Sequence, residues 1–234
     1  MPSSTERSDE VQAKLSASKL EAASLCPAFF KANIRFPWSG ERDAANEGTI
    51  RHDNEEKEIP LEEIEDNERR RCAYNCRKAI SACRETIGIG ESQVVREARY
   101  WYGTLWSGQL DYEERFGESC LIADYKTLHG SHTPAPDNVQ LLAQAVLVSH
   151  NHPEIETVYA ALIEPFQNPT YTTVQYSKEH LLKKAKWLEE VVERSYAEDG
   201  EQIPGGKQCK WCSGLPFCGA ARKHIFSCVQ KAKL

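Results

Sequence analysis

Residues 121–127 read LIADYKT, an apolar run that ends in an acid and a base two positions apart. Its first three residues predict a buried β-strand. Alternate side chains of a strand point to the same face, so Asp124 and Lys126 are expected side by side, with Tyr125 facing the other way. Such a pair is either an ion pair at the end of a strand or part of a catalytic site.

A second acid lies upstream, in the segment GQLD that ends at Asp111. We expect Asp111 on the strand that precedes Asp124, across a hairpin-like turn, where neighbouring strands are about 4.8 Å apart. Two carboxylates at that distance can share one hard divalent cation, and without a cation they repel each other. A cation that generates hydroxide, with Lys126 beside it, has the components that phosphodiester hydrolysis requires.

Bulk properties limit the class of protein. The chain has 234 residues, and 40% of them are apolar, which allows a large core. Its net charge is -6. We expect neither a signal peptide nor a membrane-spanning helix, and so a soluble, cytoplasmic protein that does not bind membranes. The acidic total argues against a surface coated with basic residues, but a local basic groove can coexist with it.

The order of predicted elements is helices, strands, a helix, strands and a helix, which favours a mixed α/β fold. We expect residues 1–15 to be disordered and residues 16–234 to form a single domain, with its core in residues 84–196.

Further motifs extend the acidic pair in both directions. The segment EGTIRH ends at His52, Gln140 opens the predicted helix after the Asp124 strand, and residues 16–30 read SASKLEAASLCPAFF. This ordered set resembles the PD-(D/E)XK nuclease superfamily in its RecB-like branch, whose motifs include G-x-x-x-H, G-x-x-D, D-x-K and Q-x-x-x-Y. One position departs from the pattern, because Gln144 stands where the last motif has tyrosine.

The resemblance implies a restriction-endonuclease-like core, a central mixed sheet flanked by helices. It implies an Mg²⁺- or Mn²⁺-dependent deoxyribonuclease that acts as an exonuclease on DNA that is single-stranded or has free ends. Lys126 would orient the attacking water, and Gln140 would position the substrate or Lys126. The implied metal ligands are His52, Asp111, Asp124 and the backbone carbonyl of Tyr125.

The family acts in recombination, repair, phage replication or CRISPR spacer acquisition. The resemblance therefore implies recombination or CRISPR adaptation proteins as partners, in a bacterial or phage-infected cell. Two alternatives stay open: a non-catalytic module that binds DNA ends or a partner on a nuclease fold, and a zinc-stapled structural protein.

Three of the nine cysteines, Cys209, Cys212 and Cys218, form a C-x2-C-x5-C pattern in a Gly- and Pro-rich segment. A closed metal site needs a fourth ligand. Cys228 falls in a predicted helix, which leaves Cys26, directly before Pro27, as the better candidate. Spacing alone does not separate zinc from an iron–sulfur cluster, because thiolates suit both.

The resemblance favours iron and sulfur. In RecB-like nucleases with a cluster, one N-terminal cysteine joins three C-terminal cysteines around a 4Fe-4S cluster, and Cys26 and the segment 209–218 match that layout. The cluster would staple the helical N- and C-terminal regions together. Three other cysteines share a helical face and predict a buried stripe, and Cys120 predicts strand core. The stripe consists of Cys72, Cys76 and Cys83.

Overall fold

The computed structural model describes residues 15–37, 43–130 and 132–231. The strands are β1 (Leu15–Ser16), β2 (Gln93–Tyr102), β3 (Trp106–Phe116), β4 (Ser119–Tyr125), β5 (Thr157–Ile163) and β6 (Tyr171–Ser177). The helices are α1 (Ala17–Leu25), α2 (Phe29–Arg35), α3 (Asp43–Glu56), α4 (Asn67–Ile87), α5 (Val139–Asn151), α6 (Lys178–Tyr196), α7 (Gly206–Lys210) and α8 (Gly219–Lys231). Short 3-10 turns cover Leu61–Glu63, Ala135–Asp137 and Leu215–Phe217.

Within the described residues, the six strands form one mixed sheet in the order β1-β3-β4-β5-β6, with β2 also paired to β3. Strands β2, β3 and β4 form an antiparallel meander, β4 and β5 are parallel, and β6 returns antiparallel to β5. The parallel pair is joined through α5, the kind of crossover that parallel strands require.

Helices cover both faces of the sheet. Helices α1, α5 and α6 pack on one face around a core that contains Trp106, Leu110 and Ile122. The other face packs against α4, whose cysteine stripe is buried as predicted, and Cys120 is also buried. A mixed sheet flanked by helices confirms the predicted fold class.

Helix α5 begins at Val139 because Asn138 caps it. The Asn138 side chain accepts a hydrogen bond from the Leu141 N–H at 3.0 Å, which satisfies one of the unpaired donors of the first turn. From Leu141 to Val148 every residue of α5 is buried. A helix buried on all sides lies between other elements, here the sheet, α1 and α6.

Gly108 lies in the interior of β3, a position where glycine usually weakens a strand. Strand β3 runs through Gly108 without interruption. A Cβ at this position would lie 2.7 Å from Leu147 Cδ1 and 3.2 Å from Ala17 Cβ. The glycine therefore serves the close approach of α5 and α1 to the sheet rather than a turn.

The segment expected to be disordered, residues 1–15, lies outside the described residues except for Leu15. That residue is buried and pairs with Trp106 in the two-residue strand β1. Because β2 occupies the other edge of β3, β1 lies on the same edge as β4, beyond the point where β4 ends.

Candidate active site

The two acids of the sequence motifs face each other across neighbouring strands. Tyr112 pairs with Ala123, so the same register places Asp111 opposite Asp124. Asp111 Oδ2 accepts a hydrogen bond of 2.7 Å from the N–H of Tyr125. Asp124 is 3% exposed, so its charge is almost fully removed from water. Both carboxylates line a cleft of about 710 Å³.

Lys126 and Gln140 complete a closed polar network with Asp124. Lys126 Nζ lies 2.6 Å from Asp124 Oδ2 and donates a 3.0 Å hydrogen bond to Gln140 Oε1. Gln140 Nε2 in turn donates to Asp124 Oδ1. Burial favours the neutral amine, but the Asp124 charge outweighs that effect and raises the pKa of Lys126. The lysine therefore stays a cation inside the cleft.

His52 enters the cleft from α3, with its Nδ1 3.5 Å from Asp111 Oδ1. Burial alone would lower the pKa of His52, but the Asp111 carboxylate, helped by Asp124, raises it to about 9. Burial and the Asp124 charge raise the pKa of Asp111 despite the opposing effect of His52. A divalent cation between these groups would relieve the repulsion of the two carboxylates.

The residue before His52 holds α3 against the sheet. Arg51 is buried, and its Nη1 donates a 2.7 Å hydrogen bond to the backbone carbonyl of Thr127, two residues after the Asp124 strand. The same guanidinium pairs with Glu47 at 2.8 Å and with Glu68 at 2.7 Å. His52 is thus positioned by a charge-assisted network rather than by a flexible loop.

Tyr125 lines the cleft, while its side chain is buried in the core beside α4. This arrangement agrees with the alternation expected for a strand. The structure therefore brings His52, Asp111, Asp124, Lys126 and Gln140 to one cleft.

Sequence reasoning missed a third carboxylate, Glu97 on β2. Its carboxylate, a His52 ring nitrogen and an Asp111 carboxylate oxygen all lie within 4.8 Å of one another. The β2–β3 register places Glu97 opposite Asp111, and Glu97 has a left-handed φ of 52°. The turn at Gly103 could have indicated this register. Tyr102 and Trp106 pair across that turn, and counting five residues along each strand pairs position 97 with position 111.

Gln144, at the position where the family motif has tyrosine, is buried and lines the same cleft. Its Nε2 donates a 3.0 Å hydrogen bond to the backbone carbonyl of Gln109, two residues before Asp111. In this chain the position therefore supports the backbone of the G-x-x-D segment.

The four predicted cluster cysteines line a second cavity, of about 450 Å³. Cys26 follows α1, Cys209 lies in α7, and Cys212 and Cys218 follow within the tail. All nine cysteines lie within the described residues, and each is a free thiol. Three of the four sulfurs accept backbone N–H groups: Ile203 N at 3.4 Å from Cys26, Gly205 N at 3.3 Å from Cys209, and Ala221 N at 3.4 Å from Cys218.

None of the described helices is both long enough and apolar enough to cross a membrane.

A family model of the PD-(D/E)XK nuclease superfamily matches residues 84–219, more than half of the chain. The matched range includes Asp111, Asp124, Lys126 and Gln140, whereas His52 precedes it. No curated protein matches the chain.

Two solved structures are similar to the chain. A candidate exonuclease from Eubacterium rectale has a TM-score of 0.47 and 14% identity, and the alignment covers 95% of this chain and 92% of that chain. A protein designated SSO0001 has a TM-score of 0.36 and 13% identity, with 86% and 85% covered. The family match confirms the superfamily that the motifs indicated, and the chain belongs to the PD-(D/E)XK nuclease superfamily.

Proposed function

We propose that this protein is a divalent-metal-dependent deoxyribonuclease that removes nucleotides from DNA ends. The observation that carries the proposal is the convergence of Asp111, Asp124 and Lys126, from two strands and the segment after them, in a single cleft. The superfamily comprises nucleases, and its members use divalent metals. The end-directed activity is the finer part of the proposal and rests on the RecB-like motifs.

The residues present fit a hard cation. Asp111 and Asp124 supply carboxylate oxygens, His52 supplies a ring nitrogen, and the carbonyl of Tyr125 is the backbone oxygen expected from the family. Burial, and to a smaller extent the Asp124 charge, raise the pKa of Asp111, and a cation beside the two carboxylates would offset both effects. Mg²⁺ or Mn²⁺ bound here would polarise the phosphate and lower the pKa of a bound water.

Lys126 is the cation that the protein itself contributes to the reaction. Its Nζ is held between Asp124 and Gln140, so little reorganisation is needed when a phosphate arrives. From this position it would orient the attacking water and stabilise the negative charge that develops on the phosphate. Gln140 is a positioning residue in this scheme, because it fixes both the lysine and the carboxylate.

Action at DNA ends is supported by the recessed position of the acids. Asp124 is 3% exposed at the base of the cleft. A strand terminus or an unpaired strand can enter such a cleft more easily than the middle of a rigid duplex. We propose unpaired DNA or DNA with free ends as the substrate. The pathway would be recombination, repair, phage replication or CRISPR adaptation, with partner proteins from those systems, in the cytoplasm of a bacterium or phage-infected cell.

We further propose that Cys26, Cys209, Cys212 and Cys218 hold a 4Fe-4S cluster. All four thiols line one cavity of about 450 Å³, which is roomy enough for a group of several atoms. Backbone N–H groups directed at three of the sulfurs would stabilise thiolates bound to a cluster. Zinc is the alternative metal, and it would draw the four sulfurs more tightly around a single ion.

We propose that residues 16–234 act as one nuclease domain. The cluster would join the N-terminal region of this domain to its C-terminal region. Helix α1, which precedes Cys26, packs against α5, α6 and α7. The staple would therefore fix the helical layer that carries Gln140.

The test is digestion of end-labelled linear DNA and of circular single-stranded DNA with Mg²⁺ or Mn²⁺. We expect cleavage of the linear substrate alone, and loss of at least about a hundredfold in rate for Asp124→Ala and Lys126→Ala. Glu118→Ala, in the turn at the far end of the same strand, should retain full activity. Metal-dependent DNA binding without any cleavage would instead support a non-catalytic end-binding module, and cleavage of circles would contradict the end requirement.

A further inference from the structure

Glu97 is held toward the acidic cleft by two neighbouring polar side chains. Its Oε2 accepts a hydrogen bond from Gln109 Nε2, and Gln109 Oε1 accepts one from Arg99 Nη2. Glu97, Gln109 and Arg99 all line the cleft. The carboxylate is therefore fixed in position by Gln109 of β3, which Arg99 of β2 holds in turn.

The backbone at Glu97 is unusual for a strand. Its φ of 52° is left-handed, a conformation that residues other than glycine adopt rarely and at an energetic cost. The paired residues on either side keep the regular β2–β3 register, Arg96 with Tyr112 and Ala98 with Leu110. The irregularity is thus confined to the one residue that lies across from Asp111.

The two oxygens of Asp111 have different surroundings. Oδ2 accepts the N–H of Tyr125 on the β4 side, and Oδ1 lies 3.5 Å from His52 Nδ1. Glu97 joins His52 and Asp111 in a group whose ligand atoms all lie within 4.8 Å of one another. Asp124 already contacts Lys126 and Gln140. The compact set of ligand atoms available to a cation therefore includes Glu97.

We propose that Glu97 is a ligand of the divalent cation, together with His52 and Asp111. The inference rests on the proposed function, because it assumes that this cleft binds Mg²⁺ or Mn²⁺. Glu97 supplies a further carboxylate oxygen on the β2 side, and Gln109 is its positioning residue. The carboxylate oxygens that dominate this set suit both Mg²⁺ and Mn²⁺, and Mn²⁺ is the ion that can be followed by electron paramagnetic resonance.

The measurement is Mn²⁺ binding by isothermal titration calorimetry and by electron paramagnetic resonance, without DNA. Glu97→Gln keeps the size of the side chain and removes its charge, and we expect at least tenfold weaker Mn²⁺ binding. Glu56→Gln is the matched control, because Glu56 lines the same cleft but lies outside the ligand group. It should bind Mn²⁺ within about twofold of wild type.

A second variant separates ligation from folding. Glu97→Gly removes the carboxylate and suits the left-handed backbone, so the melting temperature without metal should not fall, while Mn²⁺ binding weakens as in Glu97→Gln. Equal Mn²⁺ affinity in wild type, Glu97→Gln and Glu97→Gly would overturn the assignment of Glu97. Absence of Mn²⁺ binding by the wild-type protein would instead overturn the proposed function itself.

Discussion

The side chain of Gln144 donates a 3.0 Å hydrogen bond to the backbone carbonyl of Gln109. Gln144 belongs to α5 and Gln109 to β3, so this bond joins the helix that carries Gln140 to the strand that carries Asp111. The bond is buried on the Gln144 side, where the side chain is 2% exposed. The departure from the family tyrosine thus replaces an aromatic side chain with an amide that binds the G-x-x-D backbone.

Gln144→Leu should destabilise the protein by about 1–3 kcal/mol, because it removes the donor and leaves the Gln109 carbonyl unpaired. Urea unfolding measures the change in free energy of unfolding. Gln175→Leu, at an exposed position of β6, should change it by less than about 0.5 kcal/mol. If Gln144→Leu is as stable as wild type, the bond to Gln109 contributes nothing to folding.

Gly108→Ala should cost about 1–3 kcal/mol through overpacking, since the new Cβ would lie 2.7 Å from Leu147 Cδ1. Leu147→Ala in the same background removes the clashing atom but leaves a cavity of its own. We therefore expect the double variant to be less destabilised than the sum of the two single variants. Strictly additive changes in the free energy of unfolding would show that the methyl group added at position 108 does not clash with Leu147.

Much of the fold and of the site could be predicted because it depends on short-range patterns. Asn138 and Ser177 begin α5 and α6 as helix caps, and both signals are local. The D-Y-K-T segment fixes its own geometry, because alternation along a strand places Asp124 and Lys126 on one face. The spacing between motifs then allowed Asp111 to be assigned to the neighbouring strand.

The remainder depends on contacts that no single segment encodes. The position of Glu97 beside Asp111 depends on the pairing of β2 with β3 and on a left-handed backbone at Glu97. A single glutamate in a strand sequence predicts neither feature. Gly108 alone predicts a break in the strand, and only the close packing of Leu147 against the Gly108 backbone explains a glycine at this position. The ion pairs between α3 and α4, Arg69 with Glu47 and Arg77 with Glu55, likewise join segments that do not encode them separately.

Acidic pH should weaken the ion pair between Glu47 and Arg69, which attaches α3 to α4. Hydrogen bonds from Arg69 and Arg51 lower the pKa of Glu47 from 4.5 to about 2. A carboxyl whose pKa is lower in the folded state stabilises the protein above its unfolded pKa, and that stability is lost as the pH falls from about 4.5 toward 2.

Glu47→Gln should therefore lower the melting temperature at pH 7, and the difference from wild type should shrink as the pH is reduced from 5 to 3. Thermal unfolding followed by circular dichroism measures both effects. The exposed Glu118→Gln variant, with no ion pair to lose among the described residues, controls for the change of charge. A difference that grows on acidification would contradict the direction of the Glu47 shift.

Removal of the metal proposed at Cys26, Cys209, Cys212 and Cys218 should loosen the attachment between the N-terminal and C-terminal regions of the protein. Cys26 follows α1, and the remaining three cysteines lie some 180 residues later in the tail. Metal held by all four would constrain the unfolded chain across nearly the whole sequence, and metal binding of this kind contributes directly to folding. Cys212→Ala should therefore lower the melting temperature by at least about 5 °C and abolish the visible absorption of a cluster.

Cys228→Ala is the matched control, since Cys228 is exposed in α8 and does not line the cysteine cavity. It should keep both the absorption and the melting temperature. Iron and sulfide analysis of protein purified without oxygen identifies the metal, and stoichiometric zinc in place of iron would contradict the cluster. Asp124→Ala should retain the same absorption as wild type, because the acidic cleft and the cysteine cavity share none of their lining residues. Loss of the cluster in that variant would show that the two sites depend on each other.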